Sequence, residues 1–366
     1  MNGEKIDVEK FLELSKTTPV CDVRSPMEYN AGHIPGAVNI PLFSDYERET
    51  VGKKYKKEGR LPAINEGLSL IGTQLSEKLG EACKLSINNN LLVHCWRGGM
   101  RSESMAWLFS LAQINVNTLE GGYKSYRHHI LEKLSEQRKM IILGGFTGSG
   151  KTHIINYLKT QGQQAIDMEG LANHKGSAFG ALGQNPQPTT EYFANILYNE
   201  WAKINPENPV WLEDESRNIG SVFIPEVYFS NMQKSPVVVL MMDIDVRLPR
   251  LLKEYSLFPK DELKASVIRI SKRLGSDNAN EAIKAIENND FAKAIKITLT
   301  YYDKAYLFGL SKKDSQNIIY VKTQTDDIKE NTAKILEAAD KINKQTNDNR
   351  QRTSGIGITI KMSQRN

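Results

Sequence analysis

Cysteine is scarce in this chain of 366 residues, with three in all, at positions 21, 83 and 95. They cannot all pair, and their spacing matches no metal-binding pattern, so neither a disulfide framework nor a thiolate cluster is expected. Long apolar runs are missing as well. The longest strongly apolar stretch, Val237–Met242, falls far short of the roughly 20 residues a membrane-crossing helix needs. The first residues, MNGEKIDVEKF, hold no signal-peptide core, and no internal repeat is visible. A strong charge of one sign is also lacking. Lys and Arg number 48 and Asp and Glu 43, a net charge of +5. That mild basic excess permits an RNA partner without demonstrating one. These absences lead to the expectation of a cytoplasmic protein with a working thiol. Hydrophobic residues make up 40% of the chain and charged residues 25%, enough apolar surface for full cores. The length suggests two or three domains.

The thiol to watch is Cys95, in LLVHCWRGGMRSE, residues 91–103. Leu91–Val93 reads as a short buried strand, and Ser102–Leu111 as a helix with Met105, Leu108, Phe109 and Leu111 on one side. The loop Cys95–Arg101 then joins a strand end to a helix N-terminus, where free N–H groups and the helix dipole attract anions. Gly98 and Gly99 allow several N–H groups to converge, and Arg97 and Arg101 add positive charge. Such a position favours thiolate, the reactive form of cysteine. The spacing His94-Cys95-x5-Arg101-Ser102 fits the loop of cysteine phosphatases. It is one residue longer than the Cys-x4-Arg loop usual in rhodanese sulfurtransferases. A wider cradle suits a tetrahedral oxyanion, and the loop alone leaves both phosphate-ester cleavage and sulfur transfer open.

Residues 21–43, CDVRSPMEYNAGHIPGAVNIPLF, closely resemble the rhodanese-domain signature. The matches run from Asp22, Arg24 and Glu28 through Gly32-His33-Ile34-Pro35-Gly36-Ala37 to Asn39-Ile40-Pro41. Val20–Val23 reads as a strand end, Pro26–Tyr29 as the start of a short helix, and His33–Gly36 as a turn. No cluster of metal ligands surrounds His33, so its expected role is to bond that turn.

The second half opens with MIILGGFTGSGKTHIINYL, residues 140–158. Gly145-x4-Gly150-Lys151-Thr152 is the P-loop pattern, with an apolar strand before it and a helix after it. Its N–H groups, with Gly145, Gly148 and Gly150 shaping the loop, are expected to hold a diphosphate. Lys151 would neutralise it, and the Thr152 hydroxyl is the place for Mg2+. P-loop domains place an acid at the end of another strand. VWLEDES (210–216) and VVVLMMDID (237–245) both qualify, and the first is preferred, with Asp214 and the nearby Arg217 as candidates. DVRLPRLLKEY places Arg247 and Arg250 three apart on a helix, able to close over phosphates. Residues 169–193, rich in Gly, Ser, Asn and Pro, read as an ordered loop or lid. Within it His174, Lys175, Ser177 and Phe179 are candidates to meet a ligand. Residues 285–345 look helical.

The expected organisation is α/β. A rhodanese-like domain (1–128) leads through a linker helix (129–138) to a P-loop NTPase-like domain (139–345) with a parallel sheet and a helical C-terminal part. A polar, disordered tail (346–366) follows.

This pairing resembles one family, the bacterial tRNA 2-selenouridine synthases. The likeness rests on the CWRGGMRS loop, SDYERETVGKKYKKEG (44–59), the P-loop, LANHKGSAFGALG and WLEDESRNIG, and spans roughly residues 10–340. The resemblance implies an enzyme acting on wobble 2-thiouridine of tRNA in two steps. A geranyl group from geranyl diphosphate alkylates the sulfur, and selenium from selenophosphate then replaces the S-geranyl group. It implies that the P-loop grips the prenyl diphosphate and that Arg97 and Arg101 hold selenophosphate. Cys95 would be the selenium acceptor or nucleophile. Neither co-substrate would be a tightly bound cofactor. The competing readings are a cysteine phosphatase joined to a kinase-like module and a nucleotide-regulated sulfurtransferase. Basic residues Lys53, Lys54, Lys56, Lys57, Lys272 and Arg273 are candidates for the tRNA backbone.

Overall fold

The apolar run around Leu92 becomes the middle strand of a five-stranded parallel sheet, buried on both faces as a helix-covered parallel strand must be. A computed structural model describes residues 4–341. The tail expected from 346 onward lies outside the described residues. The chain folds as two units. One runs from the N-terminus through Glu136 and includes Thr189–Asn199; the other holds Gln137–Pro188 and the chain from Glu200 on.

In the first unit the strands are β1 (Lys5–Ile6), β2 (Val20–Asp22), β3 (Val38–Asn39), β4 (Asn90–His94) and β5 (Asn115–Leu119), in the spatial order β1-β5-β4-β2-β3. The helices are α1 (Val8–Leu14), α2 (Pro26–Ala31), α3 (Asp45–Glu58), α4 (Arg60–Ile71), α5 (Leu75–Leu85), α6 (Met100–Ser110) and α7 (Gly122–Ser135). Local chemistry explains the starts. Pro26 occupies the first turn of α2, and the Ser25 N–H donates to the Glu28 carboxylate at 3.1 Å. Ser44 and Glu47 cap α3 reciprocally. Gly59, at φ 89°, turns α3 into α4. The expected linker helix is the second half of α7, whose Tyr126, Ile130 and Leu134 are buried in this unit.

The second unit has a parallel sheet of β6 (Met140–Gly145), β7 (Gln164–Ile166), β8 (Val210–Glu213), β11 (Val237–Met242) and β12 (Ile318–Thr323), in the order β12-β11-β6-β8-β7. A short antiparallel pair, β9 (Asn218–Ile219) and β10 (Val222–Phe223), follows β8. Its helices are α8 (Lys151–Thr160), α9 (Met168–Ala172), α11 (Glu226–Lys234), α12 (Ile244–Tyr255), α13 (Lys260–Leu274), α14 (Ser276–Glu287) and α15 (Phe291–Leu310), whereas α10 (Thr190–Trp201) belongs to the first unit as far as Asn199. β6 is central, so the loop after it opens at the carboxyl end of the sheet, where α/β folds bind ligands.

Two expectations need correction. The stretch 285–345 is not helical throughout, because NIIYVKT forms edge strand β12, paired with β11. The second domain also does not keep all of 139–345. Thr189–Asn199 packs into the first unit, where buried Asn195 donates to the His33 carbonyl (2.7 Å) and to the Tyr123 hydroxyl (2.8 Å). Thr189 Oγ1 donates to the Ala31 carbonyl at 2.6 Å. His33 itself bonds Tyr29 and stacks between Tyr29 and Tyr192.

Candidate functional site

Two sites emerge, one in each unit. In the first, β4 delivers Cys95 to the N-terminus of α6. The thiol is 3% exposed, with Sγ 3.3 Å from Ser102 Oγ, which in turn donates to the Gly99 carbonyl at 2.9 Å. The loop glycines differ. Gly98 has φ 64°, and a Cβ there would come within 2.5 Å of the Leu119 carbonyl oxygen. Gly99 adopts φ −113° with open space around it, so no steric demand applies. Arg101 lies beside Cys95 but donates to Glu28 at 2.5 and 3.3 Å. Burial pushes the Glu28 carboxyl up, and the Arg101 guanidinium outweighs it, so the net shift is downward. Arg97 is exposed at the mouth. Behind the loop, Arg24 is fully buried against Asp22 (2.6 Å) and over the Tyr123 ring (3.8 Å). His94 is buried too, its ring nitrogens have no hydrogen-bond partner, and desolvation lowers its pKa. These groups stiffen the strand end rather than face a ligand. Over Cys95 the α3–α4 hairpin encloses a cavity of about 690 Å³.

In the second unit a cleft of about 640 Å³ surrounds the loop 145–152. Gly145 (φ 153°), Gly148 (φ 80°) and Gly150 (φ 81°) curl the backbone, and a Cβ on Gly150 would collide with the Arg250 guanidinium. Lys151 Nζ, at the start of α8, donates to the Gly145 carbonyl at 3.1 Å. Thr152 Oγ1 stands 2.8 Å from Glu213 Oε1 and 2.9 Å from Glu169 Oε2. A hydroxyl donates one proton, so the second contact needs a proton on a carboxyl oxygen or a cation. Burial, with Glu169 and Asp167 nearby, pushes Glu213 up to about 8. Burial raises Glu215 as well, reinforced by Glu169 and Glu213; burial also raises Glu169, although Lys151 pulls it down. The Glu213 carboxyl therefore carries the proton at neutral pH, and its other oxygen is buried without a partner.

Among the described residues no three His, Cys, Asp or Glu side chains form a metal-ligand set. A hydroxyl with one or two carboxylates nevertheless fits Mg2+, which completes its shell with water and phosphate. Glu213, protonated in the fold near pH 8 and ordinarily near 4.5, favours the folded state below 4.5, and this stability is lost as pH rises through 8. Cation-free protein should lose melting temperature across that window, and Glu213→Gln should flatten the slope. Mg2+ should raise the melting temperature more above about pH 8 than near about pH 6, because it displaces a proton. An equal Mg2+ effect at both pH values would exclude this site.

The structure seats the other candidates unevenly. Asp214, the expected strand-end acid, lines the cleft but turns to Lys313 Nζ (2.5 Å) and the Tyr306 hydroxyl (3.2 Å). The acid at Thr152 is its neighbour Glu213, joined by Glu169, which the sequence reading missed. Tyr306 receives the Gly145 N–H at 2.8 Å, so Asp214 braces the loop. Arg217 is half exposed, 3.5 Å from Glu226, and lies outside the cleft. Arg247 is buried, paired with Asp303 (2.6 Å) and donating to the Thr147 carbonyl (2.9 Å), which makes it a scaffold for the loop. Arg250 does line the cleft, held by Asp326. His174 is buried without a partner for Nδ1, and desolvation lowers its pKa; it does not line the cleft, whereas Lys175 and Ser177 do.

Sequence comparison gives the same two halves. Residues 7–129 match the rhodanese-like domain family, and residues 138–261 match the tRNA 2-selenouridine synthase AAA domain. The tRNA 2-selenouridine synthase of Shewanella frigidimarina (strain NCIMB 400) is 36% identical over 343 residues, spanning 83% of this chain and 92% of its own length. Its counterpart in Shewanella sediminis (strain HAW-EB3) is 36% identical over 337 residues, covering 82% and 90%. That of Sulfurovum sp. (strain NBC37-1) is 34% identical over 336 residues, again covering 82% and 90%. The chain belongs to the tRNA 2-selenouridine synthase family. No helix among the described residues is long and apolar enough to cross a membrane.

Proposed function

We propose that this protein is a transferase that converts wobble 2-thiouridine of tRNA to 2-selenouridine through an S-geranyl intermediate. In the first step the thiocarbonyl sulfur attacks the allylic carbon of geranyl diphosphate. The C–O bond breaks, diphosphate departs on the Gly145–Thr152 loop, and the nucleobase N–H proton is lost. Alkylation matters because a thiocarbonyl sulfur leaves poorly, whereas an alkylated one leaves as a thiol. In the second step selenium from selenophosphate takes the place of that thiol. Cys95 attacking phosphorus would free hydroselenide and leave a phosphorylated thiol that water clears as phosphate. This route needs no reductant, whereas a selenium carried on Cys95 sulfur would need two electrons to release it. Arg97 and Arg101 are the candidate anion ligands, with Arg101 exchanging Glu28 for the ligand.

The observation that carries the reading is what adjoins the phosphate cradle. Along Thr147, Leu251 and Tyr255 the cleft is continuous with an almost wholly apolar slot, lined further by Phe179, Val267 and Leu299. The slot measures about 40 Å³, room for about three waters. It has room only for the first few carbons of a hydrocarbon tail, and its apolar walls favour such a tail over a nucleobase, whose polar edge would be left unpaired there. Nucleoside mass spectrometry of thiolated tRNA incubated with protein, geranyl diphosphate and selenophosphate tests the reading, and the expected products are S-geranyl-2-thiouridine and then 2-selenouridine. Phosphate release that requires Cys95 but no tRNA would instead favour the cysteine-phosphatase reading, which the Ser102–Cys95 contact supports. Persulfide formation on Cys95 without tRNA change would favour the sulfurtransferase.

The tRNA contacts are expected to be electrostatic. Lys56 and Lys57 on α3 and Lys272 and Arg273 on α13 are exposed. Lys53 and Lys54 are engaged by Glu49 and Glu66. Four phosphate contacts would lower tRNA affinity on the order of a hundredfold between about 50 and 200 mM salt. A flat salt dependence would remove this footprint.

A further inference from the structure

We propose that the cavity over Cys95 is an alkyl subsite, holding the prenyl chain of the S-alkylated nucleoside while selenium replaces its sulfur. The inference rests on the function proposed above and adds a second hydrocarbon site, separate from the slot beside the P-loop.

The cavity is built from the α3–α4 hairpin and the start of α6, with Cys95 in its lining. Its apolar walls include Leu42, Val51, Tyr55, Ile64, Leu68 and Met100. Three of these are left uncovered by the fold, with Tyr55 58%, Leu68 59% and Met100 44% exposed. A single exposed leucine is unremarkable, but several apolar side chains gathered in one concavity mark a ligand surface. A selenophosphate ion does not account for it. That ion needs a few N–H groups and an arginine at the loop, whereas about 690 Å³ lies above the thiol and most of its wall is hydrocarbon. Positive charge sits among these apolar walls: Arg48, Arg60 and Arg97 all line the cavity, and the Arg60 guanidinium donates to Met100 Sδ at 3.5 Å. Hydrocarbon walls with interspersed guanidiniums match a lipid chain carried on a polyanion. In the exchange, the C2–S bond breaks, C2–Se forms, and sulfur leaves with its chain and a proton as a thiol. A chain seated in the cavity therefore fixes the breaking bond next to Cys95 and retains the leaving group until bond exchange is complete.

The test compares two tRNAs, carrying S-geranyl- or S-methyl-2-thiouridine, as substrates of the full-length protein with selenophosphate. The two leaving groups are chemically alike and differ in hydrocarbon. Wild type should prefer the geranyl substrate by at least about a hundredfold in kcat/KM, since each further carbon buried from water strengthens binding about threefold to fourfold. Leu68→Asp and Tyr55→Asp should each cut that preference at least about tenfold, and a thermal melt checks their folding. Both positions are more than half exposed, so neither substitution empties a core. Equal use of the two tRNAs by wild type, or a full preference in both folded variants, overturns the subsite and leaves the proposed function standing. Conversion of neither tRNA by wild type overturns the proposed function itself. Should a variant fail to fold, the wild-type comparison decides.

Discussion

Lys151→Ala is expected to lose geranylation of 2-thiouridine tRNA by a factor of about a hundred to a thousand, the usual cost of removing one preorganised group from a site of charge development. The Lys151 ammonium opens α8 and lines the cleft, where it donates to the Gly145 carbonyl. Arg247 cannot replace it, being buried against Asp303, and Arg250 is held by Asp326. Charge grows on the diphosphate as the C–O bond breaks, so the lysine contributes more to the transition state than to binding. The loss should therefore fall on kcat and kcat/KM together. Under the proposed function the same variant should still convert tRNA already carrying S-geranyl-2-thiouridine, because that reading assigns the step to the Cys95 loop. Product masses from both substrates, with and without ATP, decide it. Normal geranylation by Lys151→Ala, or a wild type that geranylates only with ATP, would make the P-loop a nucleotide site.

The uneven fate of the candidates follows from what a linear pattern can carry. Gly145–Thr152 and Cys95–Ser102 were readable because backbone geometry dictates both. A strand end, a glycine at positive φ and a helix N-terminus leave their mark at fixed offsets. For the strand-end acid the sequence pointed to Val210–Ser216 and to Asp214 within it, one residue from Glu213, and the choice between such neighbours depends on side-chain alternation. Successive residues of a strand point to opposite faces, so one step in register turns Asp214 toward Lys313 and Glu213 toward Thr152. Glu169 left no such mark, since it lies in a short helix after β7 and meets Thr152 only through the fold. Arg247 and Arg250 were placed correctly on one helix, but the sequence could not show that Asp303 claims the first. Thr189–Asn199 was missed for a related reason. Its attachment to the first unit depends on Asn195, Glu191 and Thr189 meeting partners about 70 to 160 residues away. β12 was absorbed into a helical stretch although its run Ile318–Val321 is as apolar as that of β6, because helix-patterned residues flank it on both sides.

Cys95→Ala is expected to abolish selenium incorporation while geranylation of thiolated tRNA survives. The thiol is the one nucleophile in the Cys95–Arg101 loop and is held by the strand β4 behind it and Ser102 beside it. Sulfur is more nucleophilic than oxygen. Cys95→Ser should therefore fare little better than alanine, although it keeps the size and a polar contact to Ser102. Neither variant enlarges the core by more than one atom's volume, so both should fold, and retained geranylation reports that the chain is intact. The discriminating substrate is tRNA already carrying S-geranyl-2-thiouridine. With it the wild type should release geranylthiol and phosphate in equal amounts, and the variants should release neither. Full selenation by Cys95→Ala would mean that selenophosphate attacks the nucleoside unaided, and the loop would then be a binding cradle whose Arg97, Arg101 and N–H groups carry the step. Geranylthiol release without phosphate release in the variant would mean that selenophosphate itself displaces the sulfur and that Cys95 acts afterwards, taking the phosphoryl group from selenium.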